Sequence, residues 1–314
     1  MTPPAPPART VAYLGPRGTF TEQALHTQAD YVDLELLPLP SIPDVLAAVS
    51  EGDVDLGFVA IENAIEGSVN VTIDTLAFET ELLIQREVVL RVQLDLLTVP
   101  GAALGDIKRV LSIPIATAQC RRYLRQNLPG VAHDPANSTA EAAETILLRG
   151  DPTIAAIAPA RAAEVYGLAI LAEDIEDHPE NKTRFVAVGR NGIPAPTGHD
   201  KTSIVVFQRA DAPGSLLAIL QEFAARSINL SKLESRPTKQ SLGDYCFLID
   251  LEGHVADEVV ADALRNLHMK QASVKFLGSY PAAGENGASV RREAQARWRK
   301  ANKWLESLRG QVPR

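Results

Sequence analysis

The chain carries only two cysteines, Cys120 and Cys246, far too few for a disulfide scaffold. No uninterrupted apolar run reaches the ~18 residues of a membrane span. The proline-rich start, residues 1–9, lacks the apolar core of a signal peptide and reads as disordered. The six histidines are scattered without ligand spacing, so no metal is expected. Walker, HExxH, CxxC and G-x-S-x-G patterns are missing, which sets aside most chemistries announced by a short motif. A net charge of −8 argues against a general nucleic-acid binder. The expectation is a soluble, cytoplasmic protein with neither nucleic acid nor membrane as partner.

What is present is the composition of a folded protein, 46% hydrophobic and 22% charged over 314 residues, enough for two domains. The charge is uneven. Residues 290–314 hold eight Lys/Arg against two Asp/Glu, a local +6 that leaves −14 for the rest. Strand and helix alternate through the first 190 residues, which predicts α/β architecture. Val11–Leu14 is a short apolar strand running into Gly15-Pro16-Arg17-Gly18. Thr19 and Glu22 then fit a capping box. Leu56–Ile61 is almost wholly apolar, as in a sheet covered on both faces. Residues 83–99 read as extended strands, after which the alternation restarts, with a helix expected from Thr117 to Leu128. Two α/β groups joined by extended crossings imply two lobes with a cleft, the usual place for a small ligand. Beyond a linker the order becomes βαββαβ in about 80 residues, a ferredoxin-like module. A basic amphipathic helix follows, with Val290, Ala294, Trp298, Ala301, Leu305 and Leu308 as its apolar stripe.

Taken one at a time, the polar residues are ambiguous. Thr19 could offer a hydroxyl and helix N-terminal amides to an anion, or simply cap a βα turn. Glu62-Asn63 follows a buried strand, where either a substrate contact or a helix cap fits. Ser112 and Gln119 flank the helix after Pro114, and Ser138-Thr139 opens another. Thr183-Arg184 abuts the apolar run from Phe185. Cys120, beside Arg121 and Arg122, reads as a packed small hydrophobe.

The motifs in their order say more. VAYLGPRGTFTEQAL, AIENAIEGSV, STAEAA, AAIAPARAAEVYGL and NKTRFVAVGR together resemble the prephenate dehydratase family. ADAPGSL and KLESRP resemble the ACT domain that follows the catalytic domain in that family. The resemblance spans residues 10–280. It implies a bilobal catalytic domain similar to type 2 periplasmic binding proteins at 10–190. A linker at 191–200, a regulatory ACT domain at 201–280, and a tail with a helix at 281–314 follow. The implied reaction is decarboxylative dehydration of prephenate to phenylpyruvate in phenylalanine biosynthesis, a carbon–oxygen lyase without cofactor.

By the same resemblance Thr183 supplies the essential hydroxyl, and Glu62, Asn63 and Gln119 complete the catalytic set. Thr19, Ser112, Ser138, Thr139 and Arg184 would bind substrate, and Phe185 would wall its ring. Ala64 stands where the family usually has Ser or Thr, and Ile113 where it usually has His. Gly214, Ser215 and Leu216, with Glu234, Ser235, Arg236 and Pro237, match the phenylalanine-binding regions of ACT domains. The resemblance therefore implies L-phenylalanine as an allosteric effector and a homodimer or homotetramer formed through the ACT domains. With the first motif starting at residue 10, a monofunctional enzyme is expected. The alternatives are an arogenate dehydratase and a non-catalytic amino-acid sensor.

Overall fold

A computed structural model describes residues 10–31, 33–208, 213–239, 244–271, 273–283 and 288–311. The expectation for residues 1–9 lies outside them. The chain forms two compact units, residues 10–75 with 88–188, and 76–87 with 189–311.

The first unit begins with β1 (Thr10–Leu14), α1 (Phe20–His26), β2 (Glu35–Leu39), α2 (Ile42–Glu51), β3 (Leu56–Asn63), β4 (Gly67–Ser68) and α3 (Asn70–Asp74). Strand β5 (Leu83–Arg91) shares its residues between the two units. The next elements are β6 (Asp95–Thr98), β7 (Arg109–Ser112), α4 (Pro114–Gln119), α5 (Arg121–Asn127), β8 (Ala132–Pro135) and α6 (Thr139–Arg149). Then come β9 (Ile154–Ala158), α7 (Ala160–Tyr166), β10 (Ala169–Ala172) and β11 (Lys182–Gly189).

Two sheets result, ordered β2-β1-β3-β11-β5 and β8-β7-β9-β6-β10, with β4 paired to β3. The orders correspond. In each, three parallel strands lie side by side (β1 with β2 and β3, β7 with β8 and β9), and the next strand is one supplied by a crossing of the chain. In the second sheet that strand, β6, is antiparallel to both β9 and β10. The unit is therefore two-lobed, as the resemblance implies. β9, IAAIA, is buried at every position, as expected of a strand covered on both faces.

One expected element differs. The helix over residues 117–128 is two helices, α4 and α5, broken at Cys120 (φ −110°, ψ 14°). The break has a cause in Asp177. Its backbone N–H donates to the Gln119 carbonyl, and its carboxylate accepts from the Arg122 N–H at 3.1 and 3.2 Å, capping α5.

The second unit contains β12 (Asp200–Phe207), α8 (Ser215–Ala224), β13 (Leu230–Pro237), β14 (Tyr245–Glu252), α9 (Glu258–Lys270) and β15 (Ser273–Pro281). Its antiparallel sheet, β13-β14-β12-β15, confirms the ferredoxin-like module. Ile204, Val206, Phe223, Ile249 and Val260 close its core between sheet and helices.

Residues 76–87 also pack in this unit, although the sequence groups them with the first 190 residues. Lys201 Nζ lies 2.7 Å from Glu87 Oε1, and Phe78 meets Phe207 edge to face. Helix α10 (Ala288–Arg309) completes the described chain. Among the described members of its stripe, Leu305 and Leu308 are exposed. No described helix is long and apolar enough to cross a membrane.

Candidate active site

The ends of β3 and β11 bring two candidate pairs together. Asn63 Nδ2 donates to Thr183 Oγ1 at 2.9 Å. The amide cannot turn over without loss, because its Oδ1 accepts the backbone N–H groups of Ile65 and Glu66 at 2.9 and 3.0 Å. A hydroxyl has one proton and two acceptor lone pairs. With Asn63 occupying an acceptor position, the proton of Thr183 is available to a ligand. Beside this pair, Arg184 Nη1 reaches Glu62 Oε2 at 3.3 Å. Ala64 needs no hydroxyl for its structural part here, since it bonds to the Lys182 carbonyl through its own backbone N–H at 2.9 Å.

Gln119 closes the last turn of α4, and its Oε1 accepts from Asn181 Nδ2 at 3.4 Å. Asn181 stands two residues before Thr183, so Gln119 is tied to the strand that carries the hydroxyl. Sequence reading passed over Asn181, because an asparagine inside NKTRF has no local pattern to single it out.

The other candidates are taken up by structural contacts. Thr19 caps α1, its Oγ1 donating to the Leu14 carbonyl and accepting from the Glu22 N–H. Ser138 caps α6 by accepting from the Glu141 N–H at 2.9 Å, and Thr139 is buried behind it. Ser112 is buried and donates to the Ile157 carbonyl at 2.7 Å. Phe185, expected at the substrate ring, instead stacks on Phe58 in the core, with centroids 5.5 Å apart and planes 9° from parallel. Cavities of about 530 and 720 Å³ lie in the same unit. Ser112 lines the first and Gly15 the second, but neither is lined by Thr183, Asn63 or Gln119.

A second buried cluster joins the two lobes. Glu22, expected only as a capping residue, is 3% exposed in its side chain and accepts from the Gly18 N–H and from Arg161 Nη2 at 3.0 Å. Arg17 and His26 stand 4.0 and 3.6 Å from the same carboxylate. Burial and this carboxylate push the Tyr13 phenol well above its ordinary range. Tyr166 OH reinforces the contact by donating to the Arg17 carbonyl at 3.0 Å. Nothing local pairs residues 139 positions apart, so the sequence could not show it.

In the second unit Gly214, at φ 86°, precedes α8. Ser215 Oγ donates to Gln208 Oε1 at 2.8 Å, and Leu216 packs against the core. Edge strand β13 carries Glu234, which pairs with Arg236 at 3.4 Å and Lys232 at 3.6 Å. Ser235 and Pro237 alternate with them on the exposed side.

A two-lobed α/β unit with polar side chains gathered at its strand ends, followed by a βαββαβ module, is an α/β ligand-binding layout joined to an ACT-type module. The sequence profile of prephenate dehydratase matches residues 11–193, and that of the ACT domain residues 202–268. The chain belongs to the prephenate dehydratase family.

It is 43% identical to the prephenate dehydratase of Mycolicibacterium vanbaalenii over 314 residues, covering 95% of this chain and 98% of that one. The crystal structure of the Arthrobacter aurescens prephenate dehydratase in complex with L-Phe superposes with a TM-score of 0.87 at 43% identity, over 95% and 99% of the two chains. GqqA, described as a novel type of quorum quenching acylase, matches at 0.79 and 32% identity, over 88% and 98%. A shared fold thus accommodates more than one described activity, and the chemistry has to be argued from the site.

Proposed function

We propose that the chain converts prephenate to phenylpyruvate, with Thr183 as the hydrogen-bond donor to the departing oxygen. The observation that carries this is the fixed Asn63–Thr183 bond, which leaves the threonine proton for the ligand. As the ring carboxylate leaves as CO2, the electrons of the breaking C–C bond enter the ring and the C4–O bond breaks. The leaving hydroxide, held by the Thr183 hydroxyl, takes up a proton from solvent and departs as water. Aromatisation makes the reaction downhill, so the protein has only to hold the dianion and stabilise negative charge on the C4 oxygen. Gln119 adds a second donor, and Arg184, paired with Glu62, contributes positive charge near the anion.

The family resemblance and the L-Phe-bound relative support a regulatory reading of the second unit. L-phenylalanine binds at Gly214, Ser215 and Leu216 with Glu234, Ser235, Arg236 and Pro237. It inhibits by favouring one arrangement of the protein over another. Strand β13 lies at the edge of its sheet, where a second copy can add, giving a homo-oligomer. The setting of this biosynthetic step is the cytoplasm.

Phenylpyruvate release from prephenate by the purified full chain is the test, run with and without L-phenylalanine. Thr183→Val should lower kcat by about 10²–10³-fold, the usual cost of one lost oxyanion donor, and Thr183→Ser should restore most of it. Turnover undiminished in Thr183→Val would overturn the assignment. Turnover on arogenate alone would move the substrate to the amino analogue.

A further inference from the structure

We propose that Asn181 is a positioning residue for the reaction, setting which end of the Gln119 amide faces the ligand. The inference rests on the reading of Gln119 as a member of the site. Asn181 is 2% exposed, and its backbone is fixed at both groups. Its N–H donates to the His178 carbonyl at 3.1 Å and its carbonyl accepts from the Val92 N–H at 2.9 Å. The side chain is enclosed, and its Nδ2 donates to Gln119 Oε1 at 3.4 Å.

A primary amide is a carbonyl acceptor at one end and a two-proton donor at the other. Once Asn181 holds the Oε1 end, the Nε2 end of Gln119 is turned outward, and it donates to no described residue. Gln119 is half-buried, so that end is accessible. A donor presented there suits an anionic ligand and an oxygen on which charge develops. The opposite orientation would present a carbonyl and repel both.

The arrangement carries a cost of its own. Asn181 Oδ1 is buried and has no hydrogen-bond partner among the described residues. A side chain present only to fill space would not need to bury an unpaired acceptor. Orienting Gln119 accounts for an amide at this position, because an aliphatic residue of the same volume could not donate. The adjacent stitches, the Asp177 N–H to the Gln119 carbonyl and the Asp177 carboxylate to the Arg122 N–H, hold the end of α4 where this contact is possible.

Asn181→Asp keeps the shape but replaces the donor with an acceptor, so Gln119 must turn its Nε2 inward to pair with it. On the full-length enzyme, kcat/KM for prephenate should fall about 10- to 100-fold, matching the loss in Gln119→Ala. In a Gln119→Ala background, adding Asn181→Asp should cost less than twofold, since the residue it acts through is gone. Full activity in Asn181→Asp, or losses that multiply in the double variant, would overturn the proposal. Should Asn181→Asp fail to fold by circular dichroism, Asn181→Ala, which withdraws the donor without adding charge, is put through the same cycle with the same expectation. Full activity in Gln119→Ala beside an inactive Thr183→Val would also overturn it while leaving the dehydratase reading intact. Full activity in both would defeat that reading itself.

Discussion

Gly278 on β15 leaves no room for a side chain, and replacing it with alanine should be costly for two separable reasons. An added Cβ would stand 2.3 Å from the Ile84 carbonyl oxygen, 3.0 Å from its nitrogen and 3.1 Å from its carbonyl carbon. All three are backbone atoms, so no side chain can turn aside. Restoring ordinary contact requires β15 and the strand at Ile84 to separate by about 1 Å, an overpacking that costs roughly 1–3 kcal/mol. Gly278 also sits at φ 144°, which adds about 1 kcal/mol for a residue with a side chain.

The total, about 2–4 kcal/mol, should lower the unfolding midpoint of this unit by roughly 5–15 °C in calorimetry. Gly198 is the control, since it lies in the same unit at φ 93° with nothing within 4 Å of the added carbon. Gly198→Ala should lose only the backbone part, about 1 kcal/mol. If Gly278→Ala melts no lower than Gly198→Ala, the packing of residues 76–87 onto β15 has been misjudged.

Three other perturbations test other parts of the molecule. Arg161→Ala leaves the buried Glu22 carboxylate with only Arg17 and His26 nearby, and urea unfolding should show a loss of about 3 kcal/mol, recovered largely in Glu22→Gln/Arg161→Met. An unchanged midpoint in Arg161→Ala would refute a stabilising contact between the lobes. Burial, followed by Glu176, Asp177 and Asp95, pushes the Cys120 thiol far above its ordinary range, so neither cysteine should react with a disulfide reagent at pH 8 until the protein is denatured; fast labelling of Cys120 in the native protein would contradict it. Burial also raises the Asp95 carboxyl, with Asp174, Glu173 and Glu176 adding repulsion, so its contribution to stability is greatest at acid pH and is lost as pH rises through the raised value. Asp95→Asn keeps an acceptor for the Asp174 N–H and should therefore be the more stable form at pH 7, with the advantage vanishing towards pH 4; equal stability at pH 7 would count against the repulsion.

The architecture was readable wherever physics acts locally. An apolar run marked β3, Thr19 and Ser138 hold as caps, and the change of pattern after residue 190 marked the βαββαβ module. The break at Cys120 was not readable, since its cause, Asp177, lies 57 positions away in sequence. Residues 76–87 gave no sign of packing with β12 and β15, because nothing in their own composition differs from the strands around them. For the site, the ordered motifs named Asn63, Gln119 and Thr183 through resemblance. They did not disclose that Asn63 donates to Thr183, nor that Phe185 turns into the core. Polarity of a hydrogen bond and direction of a side chain at a strand end are properties of the assembled sheet.

The place of β11 between β3 and β5 bears on how the protein comes into being. An inner strand of the first sheet is supplied by residues 182–189, after the whole second sheet has been laid down. Asn63 and Thr183 are 120 positions apart, so at ordinary translation speeds about 6–24 s separate their arrival from the ribosome. During that interval β3 and β5 have no common neighbour, and the first lobe waits with an open seam while the second can already close. The lobe that begins the chain is thus the later one to be finished, and the hydroxyl at its centre arrives with the strand that seals it.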